Sequence, residues 1–170
     1  MNTAAKGAVE RRHQRASCDA PAEFSWGTIT HPATVMVVSM GGCFLRTGVF
    51  VPLGEELELT FCLESGPDPI RCRAKVVWLA GRGIRIRGQT CRGFALEFMR
   101  IFPEDRSRID EYVRRQTRVF RHLERELAKA HPDRELIKDL YSKVRPGDSL
   151  HLGHIRKICA EEIRYFRLRK

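Results

Sequence analysis

The sequence predicts a mainly β protein with an α extension: a six-stranded barrel followed by one long helix and two shorter helices. Three observations carry this expectation. From Thr34 to about Ile101, short apolar segments recur between Gly and Pro punctuation. At Phe102-Pro103 the apolar period changes from two to about 3.6 residues. The 170 residues are 42% hydrophobic and 31% charged, which supports one domain with a buried core and excludes a disordered chain. The organisation expected is a flexible arm over 1–10, a barrel with its basic arm over 11–103, and a helical extension over 104–170.

Met1 to Glu10 are small and polar without periodicity, and they run into the basic cluster Arg11-Arg12-His13-Gln14-Arg15. Strand-like segments follow at 34–38, 43–51, 56–63, 70–80, 84–87 and 92–101. Leu57, Leu59, Phe61 and Leu63 alternate with polar neighbours, as do Ile70, Cys72, Ala74 and Val76, so each segment has a buried and a wet face. A turn across Ser65-Gly66-Pro67-Asp68-Pro69 makes them a hairpin. Six such strands close most simply into a barrel, because closure removes exposed edges; an open sandwich is the rival arrangement.

Pro103 suits a first helical turn, and Glu104 and Asp105 complement the positive end of the helix dipole. Ile109, Val113, Gln116, Phe120, Leu123, Leu127 and Ala130 then follow a 4-3-4-3-4-3 spacing that ends near His131-Pro132. That stripe serves either as a core face or, with Gln116 as a polar register position, as a homo-oligomer seam over 109–130. A second helix is expected over 133–144 with Leu136, Ile137, Leu140 and Tyr141, then a turn at Arg145-Pro146-Gly147-Asp148. A third carries Leu150, Ile155, Ile158, Cys159, Ile163 and Phe166 on its apolar face.

The formal charge of +10 favours an anionic partner, and the surplus is mostly C-terminal: residues 111–170 hold 16 basic and 9 acidic side chains. The C-terminal arginines fall mainly opposite the apolar stripe, as on any surface helix, so nucleic-acid binding is not favoured unless several converge on one patch. Six scattered cysteines form no CxxC pair and no signal-peptide pattern precedes them, which predicts free thiols and a cytoplasmic location. No apolar run approaches the roughly 20 residues of a membrane span.

No GxSxG elbow, nucleophile–base spacing or paired carboxylates stand out, so no catalytic residue and no enzyme activity are expected. His151, His154 and Cys159 lack the further ligands of a metal site, and neither a metal nor a cofactor is expected. Arg82, Arg85, Arg87 and Arg92 lie among Gly81, Gly83 and Gly88 without a phosphate-loop fingerprint, which reads as a solvated hairpin. Trp26 and Trp78 read as packing residues.

Arg11-x-x-x-Arg15, then Ser39-Met40-Gly41-Gly42-Cys43-Phe44 beginning 24 residues after Arg15, and finally Gly93-Phe94-Ala95-Leu96-Glu97-Phe98 running into a helix form one ordered set. Together they resemble the PilZ domain family from about Glu10 to Gln116. The resemblance implies a six-stranded barrel that binds the bacterial second messenger cyclic di-GMP through an RxxxR arm and a [D/N]xSxxG turn. It implies that Arg11 and Arg15, with Arg12 beside them, grip phosphates and guanine faces. It further implies that Ser39 bonds a guanine and that Gly41 and Gly42 let the ligand approach. Arginine forks match phosphate oxygens and stack on bases, and a turn glycine tolerates positive φ.

The departure is Val37, where the family has Asp or Asn. Valine accepts no hydrogen bond, a deficit of about 1.5–3 kcal/mol, or roughly 10–100-fold in affinity. On the sequence alone, Val37→Asp is expected to preserve or strengthen binding. The function expected is a non-enzymatic receptor whose arm orders on cyclic di-GMP and whose C-terminal helices signal to a protein partner. The alternatives are a PilZ-like interaction domain that no longer binds the nucleotide and a nucleic-acid binder using its basic C-terminal helices.

Overall fold

A computed structural model describes residues 13–63 and 68–166, so Arg11, Arg12 and the expected arm over 1–10 lie outside the described residues. The barrel begins earlier than the periodicity suggests. Strands β1 (Arg15–Trp26) and β2 (Ile29–Ser39) form a long antiparallel hairpin. Gly27 at its turn has φ 63°, a left-handed conformation that matches the twist of the flanking strands and favours glycine. β1 carries little strand signal, because its lumen-facing residues are Ala16, Cys18, Ala20 and Ala22 before Phe24, and the exposed Pro21 stands between two of them in sequence. The Pro21 carbonyl still accepts from Cys62 N at 3.3 Å.

β3 (Gly42–Arg46), β4 (Glu56–Phe61), β5 (Ile70–Leu79) and β8 (Gly93–Ile101) complete a closed antiparallel barrel in the order β1-β2-β3-β8-β5-β4. The alternation read in β4 and β5 stands: Leu57, Leu59, Phe61, Ile70, Cys72, Ala74 and Val76 are all buried. Phe24 meets Phe94 edge-on at 5.6 Å between centroids inside the barrel.

Two strand expectations need correction. The segment 84–87 contributes no barrel strand; β6 (Ile84–Ile86) and β7 (Gln89–Cys91) pair with each other as a separate ribbon. Nor is this hairpin simply solvated. Its Ile86 and Cys91 pack on Met36, Val37, Phe44 and Ala80 as a second apolar cluster on the outside of the barrel. β3 ends at Arg46 rather than at 51, and the chain loops back with Val51 in the core.

The helices are α1 (Pro103–Leu127), α2 (Arg134–Val144) and α3 (Leu152–Phe166). Asp133 caps α2 by accepting from Glu135 N at 3.1 Å and Leu136 N at 3.0 Å. Ile109, Val113, Gln116, Phe120 and Leu123 of α1 are buried, and the apolar members join Ile137, Ile155 and Ile158 in the same core as the barrel lumen. The stripe considered as an oligomer seam is thus occupied within the chain. Leu150 precedes α3 and is exposed, off the apolar face assigned to it. Among the described residues, no helix is long and apolar enough to cross a membrane. All six cysteines are free, and burial pushes the Cys18 thiol up to about 12.

Candidate functional site

Pairing of β1 with β2 sets Arg15 directly opposite Ser39, the first and last residues of the two strands. Arg15 is exposed, while Ser39 is 7% accessible. Ser39 and Gly42 close the tight β2–β3 turn as register partners, and Ser39 Oγ donates to Gly42 O at 3.1 Å. That leaves the hydroxyl's lone pairs to accept from a donor such as a guanine N–H. The imidazole of His13, between the two motif arginines in sequence, lies over Gly41, where an added Cβ would fall 2.9 Å from its Cδ2. His13 therefore packs against the serine–glycine turn.

The two glycines sit differently in the turn. Neither Gly41 nor Gly42 has positive φ. Gly42 is required because a Cβ there would stand 2.0 Å from Leu96 O, in the backbone of β8. Gly41 is the turn glycine facing His13, and its carbonyl accepts from Phe98 N at 2.9 Å.

Val37 is not a gap in an open site. The β1–β2 register shifts between Ser17 and Ala20, and the β2–β3 register between Val35 and Val37. Val35 and Val38 consequently face the lumen, whereas Met36 and Val37 sit beneath the β6–β7 hairpin. At 7% accessibility, Val37 forms the floor of that apolar layer. Val37→Asp would bury a carboxylate there, a cost in stability that stands against any hydrogen bond the new side chain could offer a ligand.

Beside this layer, a cavity of about 290 Å³ opens between β1, the hairpin and α3, lined by Asp19, Met36, Arg46, Arg87, Gln89 and His154 among others. Arg87, at φ 51°, pairs with Asp19 in the β1 bulge and fixes the hairpin to the barrel. Next to it, Asp148 joins α2 to α3: it accepts from Tyr141 OH at 2.6 Å and from Ser149 N at 2.8 Å, and His154 Nε2 lies at 3.1 Å. Burial would raise the Asp148 carboxyl, but those hydrogen bonds outweigh it and hold it down to about 2. His154 is thus engaged by a carboxylate, and Cys159 Sγ donates to Phe120 O at 3.6 Å.

Two residues beyond Arg15, Ser17 points away from the lumen into a buried polar cluster that the sequence reading missed. Arg145 Nη2 donates to Glu162 Oε1 at 2.7 Å and to Ser17 Oγ, which itself donates to Glu162. Arg145 Nη1 donates to Val144 O at 2.8 Å and lies 3.5 Å from Gln116 Oε1, while Tyr112 OH donates to Ser17 O at 3.0 Å. The guanidinium also sits 5.4 Å over the Phe120 ring. Burial opposes the Arg145 charge, but the Glu162 carboxylate outweighs it and holds the guanidinium above its ordinary value. One ion pair therefore ties α1, the α2 end and α3 to the strand that begins at Arg15. Its signal in the sequence is Glu162 in the middle of an otherwise apolar helix face formed by Ile155, Ile158, Cys159 and Ile163.

A family model described as PilZ domain matches residues 10–115. Among solved structures, the chain is similar to the Bacillus subtilis inhibitor of motility MotI/DgrA, with TM-score 0.52 and 19% identity over 62% of this chain and 49% of that one. The chain thus spans about half the length of that protein. It is also similar to the PilZ domain of Escherichia coli YcgR solved with c-di-GMP, with TM-score 0.49 and 14% identity over 68% of this chain and 98% of that one. No curated protein matches.

Proposed function

Because this chain belongs to the PilZ domain family, we propose that it is a non-enzymatic, cytoplasmic receptor for cyclic di-GMP whose C-terminal helices report occupancy to a protein partner. The observation that carries the reading is the register of β1 against β2, which sets Arg15 across from Ser39 beside Gly41 and Gly42. Arg11, Arg12 and Arg15 are assigned to the ligand's phosphates and guanine faces, with Ser39 and Gly41 at the turn. Gly42 is assigned both to letting the ligand approach and to holding that turn on β8. The arm folds across the turn when phosphates recruit its arginines, so the signal is a change of order driven by differential affinity. The Ser17–Arg145–Glu162 cluster, two residues from Arg15, is the route by which that change reaches the helices.

Isothermal titration with cyclic di-GMP, using GTP and cyclic di-AMP as controls, tests the reading. Saturable binding of cyclic di-GMP alone is expected, and Arg15→Ala should weaken it by about 10–100-fold. The burial of Val37 under the hairpin favours one second reading, an interaction domain without nucleotide binding. Absence of heat at high micromolar ligand would establish that reading instead.

A further inference from the structure

We propose that α1 carries a second binding surface, a row of arginines that takes the phosphate backbone of duplex nucleic acid. Arg114, Arg118, Arg121 and Arg125 fall at i, i+4, i+7 and i+11, which places them in one line along the helix. All four are exposed, on the side opposite Ile109, Val113, Phe120 and Leu123. Four of the C-terminal arginines thus converge on one patch. The line covers about 16 Å at roughly 1.5 Å per residue.

The row is poorly neutralised. Arg114 pairs with Asp110 at 2.9 Å, and Arg125 Nε donates to Arg121 O at 3.3 Å. Among the described residues, Arg118 and Arg121 have no carboxylate within ion-pair distance. Each neighbouring pair in the row is a like-charge pair at helical contact distance, a mild repulsion that a bound anion would relieve.

The chemistry of the rest of that side selects the partner. Past Pro103, the exposed positions of α1 are Glu104, Arg106, Ser107, Glu111, Glu124 and arginines, with no aliphatic or aromatic side chain among them. A helix lying in a lipid surface needs an apolar face, and the apolar face of α1 is already buried in the core. A protein interface would need an apolar centre, and a single-stranded nucleic acid would need aromatic platforms. A linear row of guanidinium groups without apolar neighbours suits the regularly spaced phosphates of a duplex, read without base contacts.

The test is fluorescence anisotropy of a labelled duplex of about 20 base pairs, titrated with the full chain between roughly 50 and 200 mM salt. Binding should weaken with a log–log slope of about −3 to −4, for three to four phosphate contacts. Arg118→Gln with Arg121→Gln should reduce the slope by about 2 and the low-salt affinity by about tenfold or more. An unchanged circular dichroism spectrum would show that the variant remains folded. Duplex binding that ignores this double change overturns the proposal. So does binding confined to one strand of the same sequence, or to phosphatidylserine–phosphatidylcholine vesicles while the duplex is silent. Loss or retention of cyclic di-GMP binding is a separate readout, since Arg118 and Arg121 lie on the exposed side of α1, opposite the face packed on the core.

Discussion

Glu162→Gln should destabilise the protein by about 3–5 kcal/mol, the usual cost of leaving one member of a buried ion pair without its partner. Glu162 is fully buried and Arg145 is 7% accessible, so water cannot replace the lost charge. The carboxylate accepts from Arg145 Nη2 at 2.7 Å, from Ser17 N at 3.4 Å and from Ser17 Oγ. An amide supplies one acceptor for these donors and turns its NH2 group toward one of them. A domain of this size is stable by about 5–15 kcal/mol, so the loss is a large share of the total. Urea unfolding should show a lower midpoint with an unchanged slope. Replacing both members, Arg145→Met with Glu162→Leu, removes the ionic desolvation penalty together with the attraction, although Ser17 N–H and Oγ lose their buried acceptor. That double variant should therefore cost less than Glu162→Gln, by about 1 kcal/mol or more. If Glu162→Gln costs less than about 1 kcal/mol, the ion pair is not the lock between the helices and β1. The double variant also tests the route to the helices. It should bind cyclic di-GMP with little change while ligand no longer alters hydrogen exchange in α3.

Val37→Asp should lower stability by about 3 kcal/mol by burying an unpaired carboxylate, against about 1–2 kcal/mol for Val37→Ala. Equal melting temperatures for the aspartate variant and the unmodified protein would show that the hairpin releases the side chain to solvent. Gly42→Ala should cost about 2–4 kcal/mol in urea unfolding, because its Cβ would meet Leu96 O at 2.0 Å and force β3 away from β8. Gly41→Ala, whose Cβ meets only the His13 ring, should cost under about 1 kcal/mol; equal costs would contradict the division of roles between the two glycines. The Asp148 carboxyl is held at about 2 in the folded chain, below its unfolded value, so its stabilisation is present above the unfolded value and is lost as pH falls toward 2. Discounted for its partial exposure, that contribution is about 1 kcal/mol. The stability gap between the protein and Asp148→Asn should therefore close between about pH 5 and pH 2, and a gap independent of pH would refute the assignment.

The parts of this fold that were legible in the sequence are those where one side of an element is uniformly apolar. β4 and β5 alternate strongly, and α1 keeps its stripe over six turns, so period alone locates both. β1 was not legible because its lumen side is built from alanine and cysteine, small enough to sit against Phe61, Phe94 and Phe98, and because Pro21 interrupts it. The apolar run at 84–87 misled for the opposite reason, since its burial comes from packing on the outside of a closed barrel. The residues of the site were readable as a motif, but the part played by Val37 was not. Which way a strand residue faces depends on a bulge, and the bulges at Cys18-Asp19 and Met36 arise between strands, where no local pattern marks them. Those same bulges turn Val37 under the hairpin and set Asp19 outward to receive Arg87. In this chain the apolar side chain at 37 and the β6–β7 hairpin above it therefore depend on each other: a carboxylate at 37 would have to stay solvated, whereas valine packs under Ile86 and Cys91.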